Sequence, residues 1–171
     1  MELAEFIRDV ADFPKPGIVF KDITPLLADA SAFADAITQM ATPFMGGSVD
    51  LVAGIEARGF IFGAPIARML DIGFVPIRKA GKLPADVVGV DYELEYGTDR
   101  VELVRGTVES GSRVLLVDDV LATGGTLAAS VELVEQTGAQ VAGISVLLNL
   151  VGLDGAAKLR DTVLHSVLEV N

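Results

Sequence analysis

Residues Val114 to Thr126, VLLVDDVLATGGT, set an apolar run, two adjacent acids and a small, glycine-rich turn in that order. Ala122-Thr123-Gly124-Gly125-Thr126 reads as a helix start, where unpaired backbone N–H groups and the hydroxyls of Thr123 and Thr126 converge on one phosphate. Glycine lets the anion approach the backbone closely. Asp118 and Asp119 cannot themselves bind phosphate. With a phosphate on the turn, they lie where either a sugar hydroxyl pair or a magnesium-held ligand would sit. A sugar phosphate satisfies both halves. No Gly-Lys-Ser/Thr follows the turn, so this is not a Walker A loop.

A second cluster carries the opposite charge. Arg78, Lys79 and Lys82 fall close together in a chain whose formal net charge is -11. Such a chain repels nucleic acid and anionic lipid over its general surface, so any anion site has to be local. There is no Cys, which excludes a disulfide framework, a thiolate metal site and a Cys nucleophile. Met1 to Asp12 lacks the basic and apolar regions of a signal peptide, and no apolar run approaches the roughly 18 to 20 residues of a membrane span. The expectation is a soluble cytoplasmic protein without nucleic-acid or membrane partners.

These groups need a scaffold. With 171 residues, 51% of them hydrophobic, the chain is expected to form one domain with a sizeable core. Leu3, Phe6, Ile7 and Val10 recur at helical spacing and predict a short N-terminal helix; Asp12 to Gly17 then forms a stiff, proline-rich turn. Leu51 to Ile55 and Val114 to Val117 are continuous apolar runs, as strands buried on both faces require, and Phe74 to Ile77 is a further strand candidate. Helices are predicted over Ser31 to Met40, Phe60 to Leu70 and about Thr126 to Gln136, with another apolar run at Val141 to Leu148. Strand and helix alternate, which predicts a mostly parallel α/β sheet with ligands at the carboxyl ends of its strands. Lys79 to Glu102 is long and poorly apolar, either a mobile functional loop or a β-hairpin arm.

Val114 to Thr126 resembles the phosphoribosyl pyrophosphate signature of the type I phosphoribosyltransferases. Four further stretches are similar to the adenine phosphoribosyltransferases within that family: Asp12 to Leu27 (DFPKPGIVFKDITPLL), Gly54 to Gly63 (GIEARGFIFG), Ile77 to Pro84 (IRKAGKLP) and Tyr92 to Gly97 (YELEYG). The resemblance implies that fold, with an N-terminal base-binding hood over about residues 1–30 and a mobile catalytic loop over about 80–102. It implies transfer of the 5-phosphoribosyl group from phosphoribosyl pyrophosphate to adenine, forming AMP and pyrophosphate in purine salvage by a cytoplasmic homodimer.

Residue by residue, the resemblance puts the Glu56-Ala57-Arg58-Gly59 turn on the pyrophosphate as a backbone cradle of unusual peptide geometry. Arg58, Arg78, Lys79 and Lys82 supply the cations a departing pyrophosphate needs. Magnesium comes with the pyrophosphate and draws few direct ligands from the protein; none is assigned. Glu95 is the general acid/base, chosen among the loop acids only by the Leu-Glu-Tyr-Gly match, and Tyr96 stands near the reacting sugar. Val19, Lys21 and Val120 contact adenine. The family often has Arg at Lys21, which is harmless if the contact is made by the main chain and alters affinity if it is made by a guanidinium fork.

A transferase for another base would share Val114 to Thr126 but lack YELEYG and DFPKPGIVFKDI. A regulator that binds phosphoribosyl pyrophosphate without catalysis would need a further domain or DNA-binding charge. His165, in the late alternating run Val163 to Leu168, reads as a surface or interface strand residue without a catalytic role. Phe60 and Phe62, which follow Gly59, read as core packing, and Phe60-Ile61-Phe62 is also a candidate for a dimer interface.

Overall fold

The computed structural model describes every residue of the chain except Ala85 and Glu95. It divides into two compact units, Met1–Gln39 and Met40–Asn171.

The first unit opens on a single 3-10 turn, Leu3–Phe6, and then strand β1 (Arg8–Ala11), not the helix expected from the spacing of Leu3, Phe6, Ile7 and Val10. β1 pairs antiparallel with β2 (Val19–Asp22), matching Asp9 with Lys21 and Ala11 with Val19. Ladder pairing satisfies these backbone groups where four apolar residues could not sustain a longer helix. The connection contains a cis Phe13–Pro14 peptide, and the Phe13 and Phe20 rings meet edge to face at 5.2 Å. Asp22 then accepts the N–H and hydroxyl of Thr24 at the start of α1 (Thr24–Ala28). α2 (Ala30–Ala41) follows, started by Asp29, which accepts the N–H groups of Ser31 and Ala32.

In the second unit the predicted alternation is present. β3 (Leu51–Ile55), α3 (Arg58–Leu70), β4 (Gly73–Lys79), β5 (Val87–Glu93), β6 (Thr98–Val104), β7 (Arg113–Leu121), α4 (Gly125–Gln136), β8 (Gln140–Leu150) and β9 (Leu164–Val170) follow in order. Seven strands form one sheet in the order β5-β6-β4-β3-β7-β8-β9. Every pairing from β4 to β9 is parallel, and β6 joins β4 and β5 antiparallel. The stretch from Lys79 to Glu102 is thus largely a β-hairpin built into the sheet edge. Leu115, Leu116 and Val117 of β7 are fully buried, as a central parallel strand covered on both faces requires. Val151–Leu153 and Gly155–Leu159 between β8 and β9 are 3-10 turns.

Candidate active site

β7 extends through Leu121, so Asp118 and Asp119 sit inside the strand's carboxyl end, not beyond it. The two acids are neighbours along the strand, and their carboxyl groups lie close enough to act on one another. Asp119 is almost wholly buried and faces Arg58, whose Nε lies 2.8 Å from Asp119 Oδ2. The Asp119 N–H donates to Asp118 Oδ1 at 2.9 Å. Burial pushes the Asp118 carboxyl well above the usual carboxylate range, and the adjacent Asp119 charge adds to it. Burial also raises Asp119, with the Arg58 guanidinium opposing the rise.

The turn after β7 opens α4 as the sequence predicts. Gly124 has φ +82°, and a Cβ there would collide with the Gly155 carbonyl, so glycine is required on both counts. The start of α3 is pressed equally close to β7: a Cβ on Gly59 would lie 2.7 Å from the Val117 carbonyl oxygen. The Glu56–Ala57 peptide before it is cis without proline, the unusual geometry expected of that turn.

Glu56 collects the cations of the opposite wall. Its carboxylate accepts the Lys79 backbone N–H at 2.8 Å, pairs with the Lys82 ammonium, and lies 3.4 Å from Arg78 Nε. Burial alone would raise the Glu56 carboxyl, but Lys82, the Lys79 N–H and Arg78 together hold it below its ordinary value. Arg78 Nη1 donates to the Lys82 carbonyl at 3.2 Å, while its buried Nε has no hydrogen-bond partner among the described residues. Burial disfavours the charge on Lys79, yet hydrogen bonds to Asp99 and Tyr92 outweigh it and raise the ammonium's pKa.

One cleft of about 240 Å³ joins these walls, lined by Glu56, Ala57, Arg58, Lys79 and the run from Asp118 to Leu127. It therefore brings together the predicted Val120, Ala122, Thr123, Gly124, Gly125 and Thr126 with both acids and the Glu56 turn. Gly59 lies behind that turn; Arg78 and Lys82 are attached to it through Glu56. Tyr96, 82% exposed, borders a wider opening beside Thr123 and Thr126. Glu95 lies outside the described residues. Val19 and Lys21 belong to the first unit, where Val19 is exposed and the Lys21 ammonium bonds both oxygens of Asp9, at 2.8 and 2.9 Å. Of Phe60-Ile61-Phe62, Phe62 is fully buried, Phe60 meets the Phe74 ring at 6.1 Å, and Ile61 is 38% exposed.

The roles of four side chains escaped the sequence reading. Glu56 was expected as backbone cradle, yet its carboxylate organises the cations. Tyr92 and Asp99 hold Lys79, and the alternation of the hairpin strands, which puts every second residue on one face, was the one signal that could have found them. Lys158 borders the opening beside Thr123 and Thr126, brought there by a chain return with no sequence mark.

Among the described residues no helix is long and apolar enough to cross a membrane. The phosphoribosyl transferase domain family matches residues 21–165. Adenine phosphoribosyltransferase of Thermobifida fusca is 55% identical over 96% of this chain and 94% of that protein. The crystal structure of adenine phosphoribosyltransferase from Thermoanaerobacter pseudethanolicus superposes with a TM-score of 0.95 at 51% identity, covering 99% of this chain and 98% of that one. The Saccharomyces cerevisiae enzyme, crystallised with an imino-altritol bisphosphate and adenine, gives a TM-score of 0.90 at 38% identity, over 98% and 97%. The chain belongs to the adenine phosphoribosyltransferases.

Proposed function

We propose, from this family membership, that the chain transfers the 5-phosphoribosyl group of phosphoribosyl pyrophosphate to adenine, releasing AMP and pyrophosphate. The observation that carries the proposal is one cleft lined by a phosphate-type helix start, two acids, Arg58 and Lys79, with Arg78 and Lys82 joined to it through Glu56. In this reading the 5-phosphate takes the N–H groups and hydroxyls of Ala122 to Thr126. The ribose hydroxyls face Asp118 and Asp119. Pyrophosphate lies against the Glu56 to Gly59 turn, with Arg78, Lys79 and Lys82 drawing its charge, and a phosphate oxygen would satisfy the buried Arg78 Nε.

The bond from ribose C1 to the pyrophosphate oxygen breaks as the adenine N9 bonds to C1, and the base loses its N9 proton. Cations fixed on the leaving oxygens stabilise the charge that develops there. Glu95 is proposed as the acceptor of that proton and Tyr96 as its neighbour over the sugar. Val120 and, from the N-terminal unit, Val19 and Lys21 are proposed contacts of the base. With its ammonium held by Asp9, Lys21 is best suited to act through its main chain, so the loss of a guanidinium fork there is harmless. The donor set fits a hard cation, because Asp118 and Asp119 offer oxygen atoms that could reach a substrate-held ion through water. Magnesium bound through the substrate would neutralise pyrophosphate as it leaves. The proposal extends to a homodimer working in the cytoplasm.

The test is product formation from phosphoribosyl pyrophosphate and magnesium with adenine, hypoxanthine or guanine offered separately. AMP from adenine alone is expected, because a pocket that pairs the exocyclic amine leaves buried groups unpaired with a 6-oxopurine. IMP or GMP formed at a comparable rate would contradict the adenine assignment.

A further inference from the structure

The Tyr92 hydroxyl lies at the meeting point of three other groups. It donates to Asp99 Oδ2 at 3.0 Å and accepts from the Lys79 ammonium and from Thr126 Oγ1, the latter at 3.1 Å. A phenol has one proton and two lone pairs, so all of its hydrogen-bonding capacity is in use. The ring also packs on the phosphate turn: a Cβ on Gly125 would lie 3.5 Å from Tyr92 Cδ2. Tyr92 thus connects β5 of the hairpin to the first residues of α4, and through Lys79 to the cation wall.

Thr126 has only one hydroxyl proton, and here Tyr92 receives it. A phosphate dianion is purely an acceptor, so it gains nothing from Thr126 while that proton points at Tyr92. We infer that Tyr92 is a positioning residue for the phosphoribosyl donor, holding the Thr126 hydroxyl in reserve and surrendering it to the 5-phosphate when the turn is filled. The exchange leaves the Lys79 and Asp99 bonds of Tyr92 in place. It makes phosphate binding at the turn work against one hydrogen bond of the empty protein, and it gives Tyr92 a role that acts through Thr126 and not by touching substrate. This inference rests on the proposed placement of the 5-phosphate.

The test is a double-mutant cycle on the equilibrium binding of ribose 5-phosphate, using Tyr92→Phe, Thr126→Val and the pair. Tyr92→Phe keeps the ring on Gly125 and removes the competitor, so ribose 5-phosphate should bind about 2- to 10-fold more tightly, the worth of one ordinary hydrogen bond. Thr126→Val should weaken binding, and adding Tyr92→Phe to it should change nothing further. Unchanged or weaker binding in Tyr92→Phe, or the same shift in both backgrounds, would overturn the inference. Thermal melts of each variant check folding, and Thr126→Ser, which keeps the hydroxyl, should retain the Tyr92→Phe response. Wild type is assayed for AMP alongside: no AMP would remove the proposed function, whereas the binding cycle still decides the role of Tyr92.

Discussion

Arg58 Nε lies 2.8 Å from Asp119 Oδ2, a bond that ties the start of α3 to the carboxyl end of β7. Both groups line the same cleft, so in the empty protein each offsets the charge of the other. Asp119→Asn keeps the shape and removes the charge, leaving Arg58 without its carboxylate. The expected outcome is a fall in kcat/KM on the order of 10²-fold, the scale of losing one aligned polar contact to the transition state. Steady-state kinetics with adenine at saturation check it.

Asp118 carries the reverse expectation for stability. Its carboxyl is held well above its ordinary value by burial and by Asp119, so at neutral pH its ionised form opposes folding. The stability it withholds returns as pH falls through the raised folded value towards the unfolded one. Asp118→Asn retains an oxygen to accept the Asp119 N–H and removes the charge. The empty variant should melt higher than wild type near pH 7, with the gap closing in acid, while activity falls; differential scanning calorimetry at a series of pH values reads this.

Gly124→Ala forces a side chain into φ +82° and against the Gly155 carbonyl. A loss of about 1–3 kcal/mol in stability is expected from the backbone conformation, together with a raised KM for phosphoribosyl pyrophosphate as the turn moves. Urea denaturation and a substrate titration separate the two effects.

The Asp50–Arg113 pair gives the acid limb. Asp50 accepts from the Arg113 N–H at 2.8 Å and from its guanidinium at 3.0 and 2.6 Å, which lowers its pKa to about 2. The stability this contributes is present above the ordinary carboxylate value near 3.8 and lost as pH falls towards about 2. Asp50→Asn should therefore lower the urea midpoint at pH 7 and leave it unchanged well below pH 2.

Much of this site was legible because its signals are local. Val114 to Thr126 announces a buried strand, two acids and a helix start within thirteen consecutive residues, and backbone physics converts that order directly into geometry. The parallel sheet followed from apolar runs alternating with helices. What escaped depends on partners far apart in sequence. Glu56 gathers Lys79, Lys82 and Arg78 only because β3 lies beside β4, and nothing in the Glu56 neighbourhood marks its carboxylate as their shared counter-ion. Tyr92 meets Thr126 across 34 positions of chain. At the N-terminus, apolar spacing that fits a helix was overridden by pairing of β1 with β2, as short segments are ruled by tertiary partners more than by propensity.

The central claim, that this cleft joins adenine to a phosphoribosyl group, is tested most directly by phosphorus NMR of wild type with phosphoribosyl pyrophosphate, magnesium and adenine. AMP and pyrophosphate should grow together in equal amounts, and neither should appear when adenine is omitted. Pyrophosphate released without AMP, or no turnover while phosphoribosyl pyrophosphate remains bound, would contradict it.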